Sequence, residues 1–397
     1  VVFARLVDPG RPADPGGDES PPRAEVPMPD ESAAGQPPPP APGRRRRPRG
    51  RHHRALVVTA WTAAGLTLLG GIGLGYVYVT LNGNIKGIDI NSVLGTDRPR
   101  DKPDGSMDLL LLGSDSRSGA NAEYGHEDGA ARADTAMVVH VYKGHRTAGV
   151  VSIPRDTLVD RPACADGKGR TVPAASGEMF NVAYEVGGPS CAVKTVEAMS
   201  GIRMDHYVEV DFTGFKKLVD TLGGVKVTTT RAIDDPKSRL TLAAGTHTLD
   251  GEQALGLVRT RHGVGDGSDL GRIELQQAFL GALLDRIKGI GLFSDPTKLF
   301  GVADAATGAV TTDSDLDSVT KLAGFAGGLK NIGSDDLTMI TLPVRYDPAD
   351  PNRVLPLTRQ DTMVWNALKA DRPIPAAAVD GSAADQRDTA GIVGDPP

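Results

Sequence analysis

Aspartate and arginine recur at close spacing in four short stretches: L-L-L-G-S-D-S-R at 110–117, R-A-D-T at 132–135, S-I-P-R-D at 152–156, and R-T-R at 259–261 followed by D-L-G-R-I-E-L-Q at 269–276. Each ends or interrupts an apolar run, so the charged groups gather where strands and helices terminate. Guanidinium forks match phosphate oxygens in a bidentate manner, and carboxylates are hard oxygen ligands for a divalent cation. This is chemistry for a pyrophosphate and a metal rather than for a peptide bond.

Asp115 and Arg117 follow the run Leu109–Leu112 through Gly113, at a strand end where α/β sheets open ligand crevices, although a plain polar turn has the same pattern. Asp134 precedes the run Ala136–Tyr142, with Arg132 two residues earlier and on the same side if extended. Arg155 and Asp156 close the run Ala148–Ile153, and alone would be a surface ion pair worth under about 1 kcal/mol. Arg259 and Arg261 flank Thr260 in Gly256–Thr260, a segment read as a strand that would turn both guanidinium groups to one face. Arg272 and Gln276 share a face of a helix predicted from about Asp269 to Lys288, with Asp269 as its N-cap and a helix terminus that favours an anion.

The elements that must hold these groups alternate between strand-like and helix-like patterns over about 107–370, which predicts a sheet covered by helices. Tyr207–Val210, Val225–Thr229 and Leu337–Leu342 are further candidate strands. Helices are predicted at Phe212–Leu222, closed by Gly223 and Gly224, and at Asp315–Leu329. The D-S-D-L-D run at 313–317 has Ser318 where a calcium loop needs its turn glycine, so it is read as a capped helix start.

The chain has 397 residues, 39% hydrophobic and 24% charged, with a net charge of -6. Seven arginines between 44 and 54 directly precede the uncharged stretch Ala55–Val79. As a helix that stretch spans about 37 Å, enough to cross a hydrocarbon core of about 30 Å. A cleaved signal would have a shorter apolar region and small residues at a cleavage site, which T-L-N-G-N-I-K-G at 80–87 does not offer. The arginine excess predicts a cytoplasmic N-terminus and an outward-facing remainder. The arginine run has no interleaved aromatics and abuts the membrane, so anionic headgroups are its expected partner and nucleic acid is not.

The expected organisation is a disordered, Pro/Arg-rich cytoplasmic head at 1–54, a transmembrane helix at 55–79, an extracellular linker at 80–106, the main folded domain at 107–370 and a disordered tail at 371–397. Cys164 and Cys191 both fall on the predicted outer side, where a disulfide would persist. The chain contains no G-x-x-x-x-G-K-[ST], H-E-x-x-H or G-x-S-x-G, so nucleotide hydrolysis, zinc proteolysis and serine esterase chemistry lack their usual signals.

The ordered motifs L-L-G-S-D-S-R, R-A-D-T, S-I-P-R-D, F-N-V-A-Y-E-V-G-G at 180–188, and V-R-T-R-H with D-L-G-R-I-E-L-Q-Q resemble the LytR-CpsA-Psr family of cell-wall glycopolymer transferases, closely over about 107–290 and by extension to about 370. The resemblance implies an α/β fold with a central mixed β-sheet sandwiched by helices, preceded by one transmembrane helix. It implies a membrane-anchored phosphotransferase that moves a glycopolymer with one phosphate from a polyprenyl (undecaprenyl or decaprenyl) pyrophosphate carrier to a muramic acid hydroxyl of peptidoglycan. In that reading Asp115 and Asp134 hold Mg2+, and Arg155, Arg259, Arg261, Arg272 and Gln276 contact the pyrophosphate, with Arg117 and Arg132 as further members. Arg155, Arg259 and Arg261 form the catalytic set with Asp115, which is also a candidate base. Two guanidinium groups about 6 Å apart repel by about 3 kcal/mol at an effective dielectric near 20, so such a cluster needs a polyanion or carboxylates. The lipid needs a greasy groove, for which Phe279, Leu280, Leu283 and Leu284 are candidates in competition with core packing. Leu275 stands where many relatives carry a basic residue. Two other readings remain: a pyrophosphatase acting on the same carrier, and a non-catalytic regulator that binds lipid-linked glycans.

Overall fold

The computed structural model describes residues 50–101, 105–114, 133–166, 169–261, 269–291, 295–385 and 393–394, with side chains for 55–385 only. Asp115, Arg117, Arg132 and the head before residue 50 lie outside the described residues.

The first helix, α1 (Gly50–Asn84), has apolar side chains turned outward on every side, with Trp61, Leu66 and Leu74 all more than 70% exposed. Among the described residues it is the helix long and apolar enough to cross a bilayer, over Ala55–Asn84. Its last turn behaves differently. Leu81 is buried, Asn82 accepts from the Val319 amide, and Asn84 donates to Asp304 on α7 (Pro296–Ala309).

The central sheet has seven strands: β1 (Lys86–Ile88), β2 (Met107–Ser114), β3 (Ala133–Val141), β4 (Ala148–Ser152), β5 (His206–Asp211), β6 (Val310–Asp313) and β7 (Leu337–Thr341). They lie in the order β1-β6-β5-β2-β3-β4-β7, with β2–β3, β3–β4 and β5–β6 antiparallel and the remaining pairs parallel. The expected linker at 80–106 therefore joins the fold in part: β1 pairs with β6, and α2 (Ile90–Leu94) buries Ile90 and Leu94. The expected loose tail also packs in its first part. Ile374, Ala378 and Ala383 enter the main core, and the Ala383 amide donates to the Val344 carbonyl.

Alternation along the strands sets the layers. Leu110, Leu112, Ala136, Val138 and Val151 face one side, against α3 (Phe180–Ser200) and α9 (Thr358–Lys369), through Phe180, Val193, Val196, Val364 and Trp365. Val139 and Val141 face the other side, where Leu329 of α8 (Val319–Leu329) and Ile332 cover them. Each fully buried Leu or Val contributes about 1.5–3 kcal/mol. A second core forms between α4 (Phe212–Thr221), α5 (Gly251–Arg259) and α6 (Asp269–Gly289), centred on Val219, Leu249, Leu257, Leu275 and Phe279. Helix α6 joins the two cores, since Leu270 and Ile273 belong to the first.

Gly256–Thr260 is not a strand. Asp250 and Gln253 form a capping box that starts α5, and Ala254, Leu255 and Leu257 bury at helical spacing. The short L-G-L-V run has no period long enough to separate the two states. α8 begins at Val319 with Ser318 as N-cap, four residues after the expected Asp315 start. α3 bends where Gly188 takes φ 62 and Pro189 opens the next turn. Cys164 and Cys191 form a disulfide with Cα atoms 5.4 Å apart, tying the loop after β4 to α3.

Candidate active site

The carboxyl ends of β2, β4 and β5 and the amino end of β3 meet along one edge of the sheet, since Ser114 pairs with both Ala133 and Asp211, and the Ile153 amide donates to the Ala136 carbonyl. Asp134 is the second residue of β3. Arg155 leaves the end of β4 through Pro154, and its loop is held from behind: the amides of Phe180 and Asn181, at the start of α3, donate to the carbonyls of Thr157 and Arg155. Helices α5 and α6 bring the remaining arginines to the same edge. Arg259 is the last residue of α5, and Thr260 (φ -59, ψ 131) ends the helix, so the pair is a helix end and its exit residue rather than two positions of a strand.

Asp269 is the hub. Its carboxylate accepts from the Arg155 amide at 3.3 Å and from Arg261 Nη2 at 3.2 Å, pairs with Arg272, and lies 3.8 Å from Arg155 Nε. Read from sequence as a cap, it gathers three guanidinium groups, and its i,i+3 spacing to Arg272 was the available signal. Asp134 adds a second tie: its carboxylate accepts from Arg155 Nη1 at 2.5 Å, and its main-chain carbonyl accepts from Arg272 Nη2 at 2.8 Å. Asp235, which belongs to none of the motifs, accepts from the Arg261 amide at 3.0 Å. Gln276 donates to the Val258 carbonyl at 2.9 Å, and Arg259 lies over the Phe212 ring at 5.2 Å.

These groups line a cavity of about 310 Å³ that Asp134, Arg155, Arg259, Arg261, Arg272 and Gln276 share with Asp235 and Lys237. Five cationic side chains thus face two carboxylates. Arg272 is 4% exposed, yet its Nε donates to no protein acceptor among the described residues, and neither does Arg155 Nε. Buried donors left without partners are costly, and an anion in the cavity would satisfy them. The titration behaviour agrees. Burial, with repulsion from Arg272 and Arg155, lowers the Arg261 guanidinium to about 10. Burial pushes the Asp134 carboxyl up, but the fields of Arg272 and Arg155 more than offset it and hold it below the ordinary carboxylate value. Asp156 is displaced the other way, raised by burial and by Asp269 against the pull of Arg155.

Asp134 suits the expected Mg2+. An ionised carboxylate is a hard oxygen donor, and Mg2+ commonly takes one or two of these and fills its octahedron with water and substrate phosphates. Among the described residues no group of three or more His, Cys, Asp and Glu stands at metal-holding distance, and Asp115 lies outside them. The lipid-groove candidates divide. Phe279 is buried in the second core with Leu283 packed against that core, while Leu280 and Leu284 are half-buried. Leu275 is 1% exposed in the same core, so its position points away from the cavity.

The family model described as LytR_cpsA_psr matches residues 77–370. The chain belongs to the LytR-CpsA-Psr family. Among LytR-CpsA-Psr relatives, Cell wall biosynthesis protein LcpA of Corynebacterium glutamicum is 31% identical over 79% of this chain, which spans 66% of that relative's length. TagT of Bacillus subtilis, named as a polyisoprenyl-teichoic acid–peptidoglycan teichoic acid transferase, is 32% identical over 74% of this chain and 86% of its own. A solved structure of TagT bound to LI-WTA superposes with a TM-score of 0.51 at 28% identity, covering 70% of this chain and 94% of that one. The helix-flanked mixed sheet is thus the LytR-CpsA-Psr fold.

Proposed function

We propose that this protein is a membrane-anchored phosphotransferase, which moves a glycopolymer with one phosphate from a polyprenyl pyrophosphate carrier to a muramic acid hydroxyl of peptidoglycan. The observation that carries this reading is the convergence of Arg155, Arg259, Arg261 and Arg272 on one cavity beside Asp134, with the buried Nε of Arg155 and of Arg272 lacking a hydrogen-bond acceptor among the described residues. The name of TagT supports the donor and acceptor classes.

In the reaction the acceptor hydroxyl oxygen forms a bond to the glycan-bearing phosphorus. The bridging P–O bond breaks, and polyprenyl phosphate leaves with the electron pair. The hydroxyl proton passes to a carboxylate. Asp115 is one candidate; Asp156 is the other, because its raised carboxyl binds a proton more readily than an ordinary aspartate. The arginines hold the two phosphates and stabilise charge on the leaving phosphate, in a site whose donors need no reorganisation. Asp134, with Asp115, would hold Mg2+, which when bound would supply further charge neutralisation for the phosphates. Leu280 and Leu284, half-buried on α6, remain candidates for the prenyl chain, with Phe279 and Leu283 backing them from the core.

The test supplies full-length protein with Mg2+, a synthetic polyprenyl pyrophosphoryl glycan and peptidoglycan oligomers, and reads product masses. The expected product is glycan joined to oligomer through one phosphate, with loss of polyprenyl phosphate, and Arg155→Ala is expected to abolish it. Free glycan phosphate without conjugate would indicate a pyrophosphatase. Absence of both products would leave a binding role.

A further inference from the structure

On the other side of Arg155 and Arg261 lies a second cleft, of about 700 Å³, which those two arginines also line. Its far wall is the hairpin of β8 (Val344–Tyr346) and β9 (Val354–Pro356), an antiparallel pair directly after β7. The hairpin is tied to the loop that carries Arg155. The Val354 amide donates to the Asp156 carbonyl, and Thr157 bridges to Val354. At the hairpin tip Asp350 accepts from the Asn352 amide at 3.0 Å and from its side chain at 3.1 Å, and pairs with Arg353 at 3.1 Å, so the tip's polar groups are held in place before any ligand arrives.

The chemistry changes across the shared wall. The first cavity is dominated by cations, whereas the second presents the Tyr346 ring, 38% exposed, among Asp350, Asn352, Arg353 and Asp156, over an apolar floor of Met179, Leu270 and Val354. An aromatic face with mixed donors and acceptors at its edge suits the flat apolar side and hydroxyl rim of a sugar ring. It does not suit a second phosphate.

We propose that this hairpin-walled cleft is the acceptor subsite, which takes a peptidoglycan saccharide and presents its hydroxyl to the phosphorus held between Arg155 and Arg261. This rests on the phosphotransferase reading. Displacement at phosphorus needs the entering oxygen opposite the leaving one, and two clefts meeting at a pair of arginines provide two such approaches. The glycan of the donor is a competing occupant of the same chemistry, but only an acceptor brings a hydroxyl whose proton must be removed. The Asp156 carboxylate lines this cleft and not the cationic one.

The experiment measures binding without turnover. Full-length protein in detergent micelles is titrated by calorimetry with two probes: peptidoglycan glycan oligomers containing muramic acid, and sugar-free polyprenyl diphosphate. Wild type is compared with Tyr346→Ala and Asn352→Ala, exposed positions whose truncation should leave the melting temperature unchanged. The expected result is oligomer affinity reduced about ten-fold or more in Tyr346→Ala, equivalent to about 1.4 kcal/mol, with diphosphate affinity unchanged in both variants. Equal oligomer affinity in all three proteins, no oligomer binding by wild type, or a parallel loss of diphosphate binding would overturn the proposal. A sugar-bearing donor whose extra affinity over the sugar-free one vanishes in Tyr346→Ala would assign the cleft to the donor glycan and also overturn it. Failure of wild type to make conjugate, with oligomer binding intact and sensitive to Tyr346, would count against the transferase reading and not against the subsite.

Discussion

Asp269 compensates charge that would otherwise repel itself, and this makes its removal informative. Asp269→Asn leaves Arg155, Arg261 and Arg272 without their common partner, and uncompensated buried charge of this kind costs about 3 kcal/mol. The expected outcome is a lowered melting temperature that inorganic pyrophosphate restores, because an anion bound only by the folded state replaces the lost carboxylate. A melting temperature indifferent to pyrophosphate would exclude anion binding there. The pH dependence has two limbs. On the acid side, transfer should rise with pH through a midpoint above that of an ordinary aspartate as Asp156 loses its proton, and Asp156→Asn should remove that limb. On the alkaline side, Arg261 loses its charge near pH 10, so affinity for polyprenyl diphosphate should fall between about pH 9 and 11 in wild type and stay flatter in Arg261→Ala. The motifs singled out Arg155, Arg259, Arg261 and Arg272, which the structure brings to one cavity. The roles of Asp269, Asp235 and Asp156 were not, because they follow from which loops the sheet edge brings together.

Two devices hold the elements that frame the site. His140, on β3, sits between Asp108 on β2 (2.8 Å) and Asp371 just after α9 (3.1 Å), with the Tyr142 ring against its edge. Burial alone would lower its pKa, but hydrogen bonds and attraction to the two carboxylates overcome this and raise it. A raised histidine stabilises the fold fully below its unfolded value of about 6.5, and the stabilisation is lost as pH climbs through the higher folded value. Melting temperature should therefore fall as pH rises above about 6.5, the unfolded value, and His140→Gln should flatten that slope; equal slopes would show that the staple does not titrate. The disulfide is the second device. With its cysteines 27 positions apart in sequence, breaking it should cost about 3.5 kcal/mol in the chain-entropy model, measured as denaturant stability of Cys164→Ser with Cys191→Ser. Elements with a long period, such as α4, α6 and the central strands, were readable from apolar spacing. α5 was misread because its apolar run is short, and α3 was hidden by Gly187, Gly188 and Pro189, which punctuate it without ending it.

At the scale of the whole molecule, α1 should keep the protein in the membrane fraction, released by detergent and not by high salt. External protease on intact cells should digest the domain at 107–370 if the arginines before Ala55 stay in the cytoplasm. Recovery in the soluble fraction, or protection of that domain, would contradict this topology. The last turn of α1 then bears on where the protein works. Leu81, Asn82 and Asn84 are engaged by the body itself, so the helix leaves no slack between its apolar stretch and β1. With that stretch in the bilayer, the domain would reach no further than its own diameter, roughly 50 Å for a chain of this size. If the protein transfers polymer as proposed, acceptor strands within that reach of the membrane are the ones it can modify, and strands further out are not. Polymer attachment would be an early event in the life of each strand.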